Sequence, residues 1–148
     1  MQKLNILVAE DGQSQREMLR GFLKDEGYEV SEAENGEEAL KEVNDGYFDL
    51  LLLDYKMPGM DGMKVLEEVK RINPEIDVIM MTAYGTIDTA VRAMKAGAAD
   101  YITKPIELEE LAILLERISE RQTLKRENES LREELTHRVA QQMHLKGL

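Results

Sequence analysis

DLLLLDYKMPGMDG (residues 49–62) runs four consecutive leucines directly into Asp54, and a turn that contains Pro58 and Gly59 follows. A short apolar run bounded by turn residues is typical of a strand that is buried on both faces of a sheet. Such a strand either happens to stop at a carboxylate or presents that carboxylate to a site. The patterns in the rest of the chain distinguish these two interpretations.

Strand patterns and helix patterns alternate along the chain. Besides 49–54, the predicted strands are residues 4–9, 28–33, 76–83 and 99–103. Four helices are predicted between them: one that ends at Gly27, and three at residues 35–46, 61–74 and 85–97. Asn35 and Asp61 are suited to begin a helix, and Gly27, Gly46 and Gly97 to end one. Five strands that alternate with helices predict the α/β class, a doubly wound parallel sheet with helices on both faces.

Composition excludes several classes of protein. The 148 residues include no cysteine, so disulfides, thiolate nucleophiles and cysteine-bound metals are excluded. Residues 1–120 carry 26 acidic and 13 basic side chains, against 4 and 6 in residues 121–148, so the acidic body would repel nucleic acid. No apolar segment approaches the roughly 18 residues of a membrane span, and no leader pattern is seen. We expect a cytoplasmic protein that binds neither nucleic acid nor membrane directly.

Polar side chains lie at or just beyond the carboxyl ends of four of the five predicted strands. In open parallel sheets, ligands bind beyond the carboxyl ends of the strands. The groups at these ends are three carboxylates, one hydroxyl and one ammonium: Glu10 and Asp11, Asp54, Thr82, and Lys104. Each has a simpler explanation when taken alone: a polar turn, a capping aspartate, an ordinary strand threonine and a surface lysine. Their occurrence together, at the ends of four strands, favours a functional site.

The chemistry of this set favours a divalent cation and phosphoryl transfer. Three close carboxylates repel one another, so at least one would be protonated unless a cation is bound. Mg²⁺ fits because it prefers oxygen ligands, and Mn²⁺ could replace it. We expect Asp11 and Asp54 to be direct ligands, with Glu10 acting directly or through water. Asp54 is the predicted nucleophile, Lys104 would offset phosphoryl charge, and Thr82 would donate a hydrogen bond.

Four motifs carry a resemblance to a known family. ILVAEDGQ, LLLLDYKMPGMDG, VIMMTAYG and ADYITKP occur in order, beginning at residues 6, 50, 78 and 99. In these motifs, residues 3–120 resemble the receiver domain of response regulators, the phosphoacceptor half of a two-component signalling pair. The resemblance implies a flavodoxin-like sheet of strand order 2-1-3-4-5 and a receiver domain at 1–120. It also implies a sensor histidine kinase as partner, and no enzymatic activity beyond self-phosphorylation and autodephosphorylation.

The resemblance also implies a role for each site residue. Glu10 and Asp11 match the acidic pair, Asp54 the phosphorylated aspartate, Thr82 the switch hydroxyl, Tyr101 the switch aromatic and Lys104 the phosphoryl-binding lysine. The backbone carbonyl of Lys56 would be a further metal ligand, and the Lys104–Pro105 bond is a candidate for the cis isomer. On phosphorylation, Thr82 would move toward the phosphoryl group and Tyr101 would turn inward, altering the face made by 85–96, strand five and the last helix.

Two positions depart from the usual receiver pattern. Glu10 stands where aspartate is at least as usual, and we expect its longer side chain to place the carboxylate outward, in a water-mediated role. Ile106 replaces a frequent phenylalanine, with little consequence for mechanism.

The C-terminal part predicts one long helix. Residues 107–142 contain no glycine or proline, and a helix continuing to about residue 137 would span roughly 45 Å and project beyond the domain. The residues at coiled-coil spacing are Leu114, Arg117, Arg121, Leu124, Asn128, Leu131 and Leu135. We therefore expect residues 121–148 to be a helical linker that forms a homodimeric coiled coil, although a solvated single helix is the alternative. HLKGL (144–148) breaks the pattern.

The layout resembles the regulatory segment of sigma-54-dependent activators of the nitrogen-regulation class. In that class a receiver and a helical linker precede an AAA+ ATPase and a DNA-binding helix-turn-helix, and the stretch from Met80 to Leu111 is especially similar. No GxxxxGK motif or recognition helix occurs here, so we expect a regulatory fragment of such a protein. The alternatives are a stand-alone receiver that signals through protein contacts and a metal-dependent phosphohydrolase. AEDGQS (9–14) lacks the spaced aspartates of a haloacid-dehalogenase-like enzyme and the phosphate loop of a flavodoxin.

Overall fold

Five parallel strands form a single sheet in the part of the chain that the structure describes. The structure is a computed structural model, and it describes residues 3–83 and 86–145, with side chains as far as residue 142. The strands are β1 (Asn5–Ala9), β2 (Glu29–Ala33), β3 (Leu50–Asp54), β4 (Asp77–Thr82) and β5 (Asp100–Thr103). Their order is β2-β1-β3-β4-β5. The doubly wound class and the strand order are confirmed, and each strand lies inside the segment predicted for it.

The helices begin and end at the residues that suit those positions. They are α1 (Gln13–Asp25), α2 (Gly36–Asp45), α3 (Gly62–Ile72), α4 (Ile87–Lys95) and α5 (Leu108–Leu145). The side chains of Asn35 and Asp61 accept hydrogen bonds from the first turns of α2 and α3, as predicted. Gly27 and Gly97 follow α1 and α4 at φ angles of 92° and 105°, which only glycine adopts readily. The predicted start of the fourth helix at Gly85 lies outside the described residues.

The core is built around the leucine strand. All five residues of β3 are buried, and Leu50 to Leu53 have no exposed surface. In register, Leu53 lies between Ala9 of β1 and Met80 of β4. Burying a leucine side chain contributes about 2 kcal/mol, so these four residues hold the end of β3 firmly in the middle of the sheet. The predicted burial of the strand that leads to Asp54 is confirmed.

The chain divides into two compact units. One comprises Lys3–Ala112, which includes the whole sheet, and the other begins at Ile113. The assignment of 1–120 to the receiver and 121–148 to a linker stays a prediction about function. Helix α5 has 38 residues, a length of about 57 Å. It continues beyond residue 137, and residues 146–148, within the segment where the sequence pattern breaks, lie outside the described part of the chain.

No helix in the described residues is both long enough and apolar enough to cross a membrane.

Candidate functional site

Three carboxylates meet where β1 and β3 end. Glu10 and Asp11 directly follow β1, and Asp54 is the last residue of β3, the neighbouring strand. One carboxylate oxygen from each lies within 4.8 Å of the others. Glu10 and Asp54 are buried, with 2% and 4% of their surface exposed, whereas Asp11 is exposed. The structure therefore brings together the three acidic residues singled out by the sequence, with Asp11 on the solvent side.

Lys104 reaches this cluster from the far side of β4. It follows β5, and its long side chain spans the intervening strand. Its Nζ lies 3.2 Å from Oε1 of Glu10 and 3.2 Å from Oδ2 of Asp54. Its backbone N–H donates to the Thr82 carbonyl over 2.8 Å, and the Lys104–Pro105 bond is cis, the isomer that the resemblance implies. The ammonium group thus bridges the two buried carboxylates.

Burial and a neighbouring carboxylate dominate the electrostatics of Glu10. Loss of solvent and the adjacent Asp54 raise the pKa of Glu10 to about 8, against the opposing effect of Lys104. This agrees with the expectation that three such carboxylates do not all ionise unless a cation joins them. The expected outward placement of Glu10 is wrong, because the longer side chain folds inward to pair with Lys104 instead of extending to solvent.

The donor set fits a hard divalent cation. All three clustered side chains offer carboxylate oxygens, two of them held in place by burial. Mg²⁺ and Mn²⁺ prefer such oxygens to nitrogen or sulphur. The backbone N–H of Lys56 donates to Oδ1 of Asp54 over 3.4 Å, which places residue 56 beside this carboxylate. The role of its carbonyl as a ligand stays a prediction.

The two predicted switch residues lie on neighbouring strands. Thr82 ends β4 and is 1% exposed, while Tyr101 of β5 is half-buried and packs against the hydrophobic core. In register, Tyr101 pairs with Met80 and Thr82 with Thr103. Because side chains alternate between faces along a strand, Thr82 and Tyr101 lie on the same face of the sheet, two positions apart in register.

The loop after Asp54 returns to the end of its own strand. The N–H of Gly62 donates to the Tyr55 carbonyl over 2.8 Å, and Gly59 makes the turn at a φ angle of 84°. A Cβ on Gly62 would lie 2.6 Å from the Asp54 carbonyl oxygen. The loop borders an open cavity of about 500 Å³ whose lining residues are Asp11, Glu34, Asn35, Glu37, Pro58 and Gly59.

Arg16 is a residue that the sequence patterns did not single out. It lies on the buried face of α1 with Leu19 and Leu23, and its Nη1 donates to the Glu10 carbonyl oxygen over 2.9 Å. Its spacing could have identified it, because Arg16, Leu19 and Leu23 occupy positions i, i+3 and i+7 on one face of the helix. An arginine on an apolar helix face is buried, and a buried charge requires a partner.

Comparison with known families agrees with this geometry. The sequence profile of the response regulator receiver domain matches residues 6–116, most of the chain. This chain is a member of the response regulator receiver family. The receiver is 44% identical over 114 residues to "Transcriptional regulatory protein ZraR" of Klebsiella oxytoca, an alignment that covers 77% of this chain and 26% of the relative.

Solved structures extend the comparison. A crystal structure of NtrX from Brucella abortus in complex with ATP is 38% identical, with a TM-score of 0.80 over 88% of this receiver chain and 30% of that chain. A response regulator receiver domain protein (CheY-like) from Methanospirillum hungatei JF-1 is 31% identical, with a TM-score of 0.77, and the match covers 82% of this chain and 98% of that one. This receiver chain thus spans about a quarter of the ZraR length and under a third of the NtrX chain.

Proposed function

We propose that this receiver accepts a phosphoryl group on Asp54 from a sensor histidine kinase in the cytoplasm, in a reaction that requires Mg²⁺ or Mn²⁺. The observation that carries the proposal is the Asp54 carboxylate, which is held at the end of the central strand beside Glu10, Asp11 and the Lys104 ammonium. A rigid carboxylate among cation-binding groups is the arrangement that phosphoryl transfer to an acidic side chain needs.

In the transfer, a carboxylate oxygen of Asp54 forms a bond to phosphorus as the phosphorus–nitrogen bond of the donor phosphohistidine breaks. The electron pair of that bond stays on the imidazole, which takes a proton from solvent. Lys104 already contacts Asp54, so its ammonium group is placed to pair with the incoming phosphoryl oxygens. When bound, the divalent cation would neutralise charge on those oxygens, held by Asp11, Asp54, Glu10 and the Lys56 carbonyl. The module has no proposed enzymatic activity beyond this transfer and the hydrolysis of its own aspartyl phosphate, which releases inorganic phosphate.

Phosphorylation is proposed to act through Thr82 and Tyr101. The Thr82 hydroxyl would move toward the phosphoryl group and donate a hydrogen bond to one of its oxygens. Tyr101 would then turn into the space that the Thr82 side chain has left. The neighbouring face of α4 presents exposed apolar side chains, among them Ile87 at 82% exposure, Val91 and Met94. Contacts made by this face would then differ between the two states, because a ligand shifts a conformational equilibrium only through its different affinity for each state.

The metal requirement is tested with the wild-type chain. Incubation with acetyl phosphate and Mg²⁺ or Mn²⁺ should add one phosphoryl group by intact-mass spectrometry, and hydroxylamine should remove it because it cleaves acyl phosphates. A chelator should reduce incorporation by at least about 100-fold, since the carboxylates would then repel the donor. Incorporation at the same rate with chelator would refute the metal requirement, and no incorporation under any condition would refute the phosphoacceptor function.

Exposed leucines recur along one side of the long helix α5. Leu124, Leu131 and Leu135 are each more than half exposed, and with Asn128 they occupy alternating steps of three and four residues on α5. Such leucines, with one polar residue in the seam, are the pattern of a two-stranded coiled coil. We propose that a second copy of this chain covers them. Leu114 lies on the same spacing, with Arg117 and Arg121 at the two positions between it and Leu124.

The charges that flank this seam support a parallel dimer. Glu120, Glu127 and Glu134 occupy one flanking position of successive heptads, and Lys125 and Arg132 occupy the other. In a parallel pair, Glu120 would face the partner's Lys125, and Glu127 the partner's Arg132. The opposite signs favour the homodimer over a solvated single helix.

A charge placed in the seam should separate the two helices. Leu131→Glu sets like charges against each other in a dimer, so we expect its dissociation constant to rise at least about 100-fold. Ser130→Glu is the matched control, because residue 130 points away from the seam and the same charge is added there. Sedimentation velocity measures both. A monomeric wild type, or equal dimerisation of the two variants, would contradict the coiled coil.

We infer further that this receiver and helix regulate a following ATP-dependent module in a sigma-54-dependent transcription activator. The similarity to a protein named as a transcriptional regulator and to NtrX, which was crystallised with ATP, supports this inference. A receiver that signals alone through protein contacts is the alternative. Sequencing the gene beyond codon 148 decides between them, since an in-frame ATPase is expected for the activator.

A further inference from the structure

We propose that Arg16 is a positioning residue for the metal site, which holds the backbone of the acidic pair in the orientation that binds the cation. This rests on the proposed function of the carboxylate cluster. Arg16 is only 9% exposed. Its Nη1 donates to the Glu10 carbonyl oxygen over 2.9 Å and lies 3.5 Å from that of Asp11.

The other side of the guanidinium is anchored at the neighbouring strand. Its Nε lies 3.7 Å from a carboxylate oxygen of Glu32 in β2, and its Nη2 lies 3.6 Å from one of Glu34. The N–H of Glu10 donates to the Ala33 carbonyl over 3.1 Å. The peptide groups around Glu10 are thus held at the N–H by β2 and at the C=O by Arg16. Since a side chain leaves its backbone in a direction set by these peptides, both clamps orient the carboxylates of Glu10 and Asp11.

A positioning role and a simple charge effect predict opposite results. Arg16 carries a positive charge close to the cation site, so electrostatics alone would make its removal strengthen cation binding. If Arg16 positions the ligands, its removal weakens binding, because groups that orient metal ligands typically contribute about 10-fold or more to affinity. The sign of the change therefore distinguishes the two explanations.

The test measures Mn²⁺ affinity by electron paramagnetic resonance on the full chain. We expect Arg16→Met to weaken binding about 10-fold. Arg20→Met is the matched control: Arg20 lies one turn later and pairs with the same Glu32 over 3.2 Å, but within the described residues it has no hydrogen bond to the Glu10 carbonyl. We expect its affinity to stay within about 2-fold of wild type.

Arg16→Lys keeps the charge but not the forked donor, so we expect an affinity at least about 3-fold below wild type. If thermal melting shows that Arg16→Met does not fold, the Mn²⁺ affinity of Arg16→Lys tests the positioning role instead. Unchanged or tighter binding in the folded Arg16 variants would overturn the proposal. Failure of the wild type to bind Mn²⁺ would instead overturn the proposed metal site.

A second readout separates positioning from general weakening of the fold. Asp54 and Lys104 are unaltered in these variants, so saturating Mg²⁺ should restore phosphorylation by acetyl phosphate to nearly the wild-type maximal rate. The half-saturating Mg²⁺ concentration should rise with the loss of affinity. A lower maximal rate at an unchanged half-saturating concentration would count against positioning.

Discussion

Asp54→Asn is expected to abolish phosphoryl incorporation, with a fall of at least about 10³-fold in the rate with acetyl phosphate and Mg²⁺. An amide has almost the shape of a carboxylate but no anionic oxygen to attack phosphorus. The variant also relieves the repulsion between Asp54 and the carboxylates beside it, so we expect it to fold. Intact-mass spectrometry measures incorporation, and circular dichroism checks the fold.

Asp61→Asn is the matched control for that experiment. It makes the same chemical change seven residues later, at an exposed carboxylate that accepts a hydrogen bond from the Lys64 N–H at the start of α3. Asparagine caps a helix about as well as aspartate, so we expect phosphorylation and stability close to those of wild type. Equal incorporation in Asp54→Asn and wild type would place the acceptor elsewhere and refute the central proposal.

Gly62→Ala is expected to lower the free energy of unfolding by about 3 kcal/mol. The added Cβ would lie 2.6 Å from the Asp54 carbonyl oxygen, 2.7 Å from Tyr55 Cα and 2.9 Å from the Tyr55 carbonyl oxygen. All three are backbone atoms at the end of the central strand, so no side chain can rotate away to make room. Because the strand end must shift, we also expect slower phosphorylation of Asp54. Denaturation in urea measures the stability change.

Gly21→Ala makes the same substitution where there is space. Gly21 is exposed within α1, and in the described residues no heavy atom beyond its own helix backbone and chain neighbours would come within 4 Å of its Cβ. Alanine favours a helix over glycine by roughly 0.5 to 1 kcal/mol, so we expect a small gain in stability. A Gly62→Ala variant as stable as wild type would show that the loop adapts and that the close approach to Asp54 is not required.

Short-range patterns made the fold class and the location of the site predictable, and the family resemblance supplied the strand order. Alternating apolar and turn segments identify each strand, and strand ends in a parallel sheet must share one edge. The convergence of Glu10, Asp11, Asp54 and Lys104 could therefore be inferred before any contact was known. The capping roles of Asn35 and Asp61 are equally local, since a cap bonds to a residue three positions away.

Features that depend on contacts between distant segments were not predictable in the same way. Glu10 was expected to face outward, but it folds inward because Lys104, 94 residues later, lies within bonding distance. Arg16 shares a helix face with Leu19 and Leu23, but its hydrogen-bond partner, the carbonyl of Glu10, is set only by the tertiary structure. Gly62 gives no signal of its own, because its need for a bare Cα comes from the backbone of residues 54 and 55.

The sequence by itself determined the succession of strands and helices along the chain, the burial of Leu50 to Leu53 and the delivery of Asp54 to the edge of the sheet. These follow from periodicity and turn chemistry, which act between near neighbours in the chain. The tertiary structure alone decided that Glu10 is buried against Lys104 and that Arg16 holds the acidic pair. Their positions depend on distances across strands and helices, which no spacing along the chain specifies.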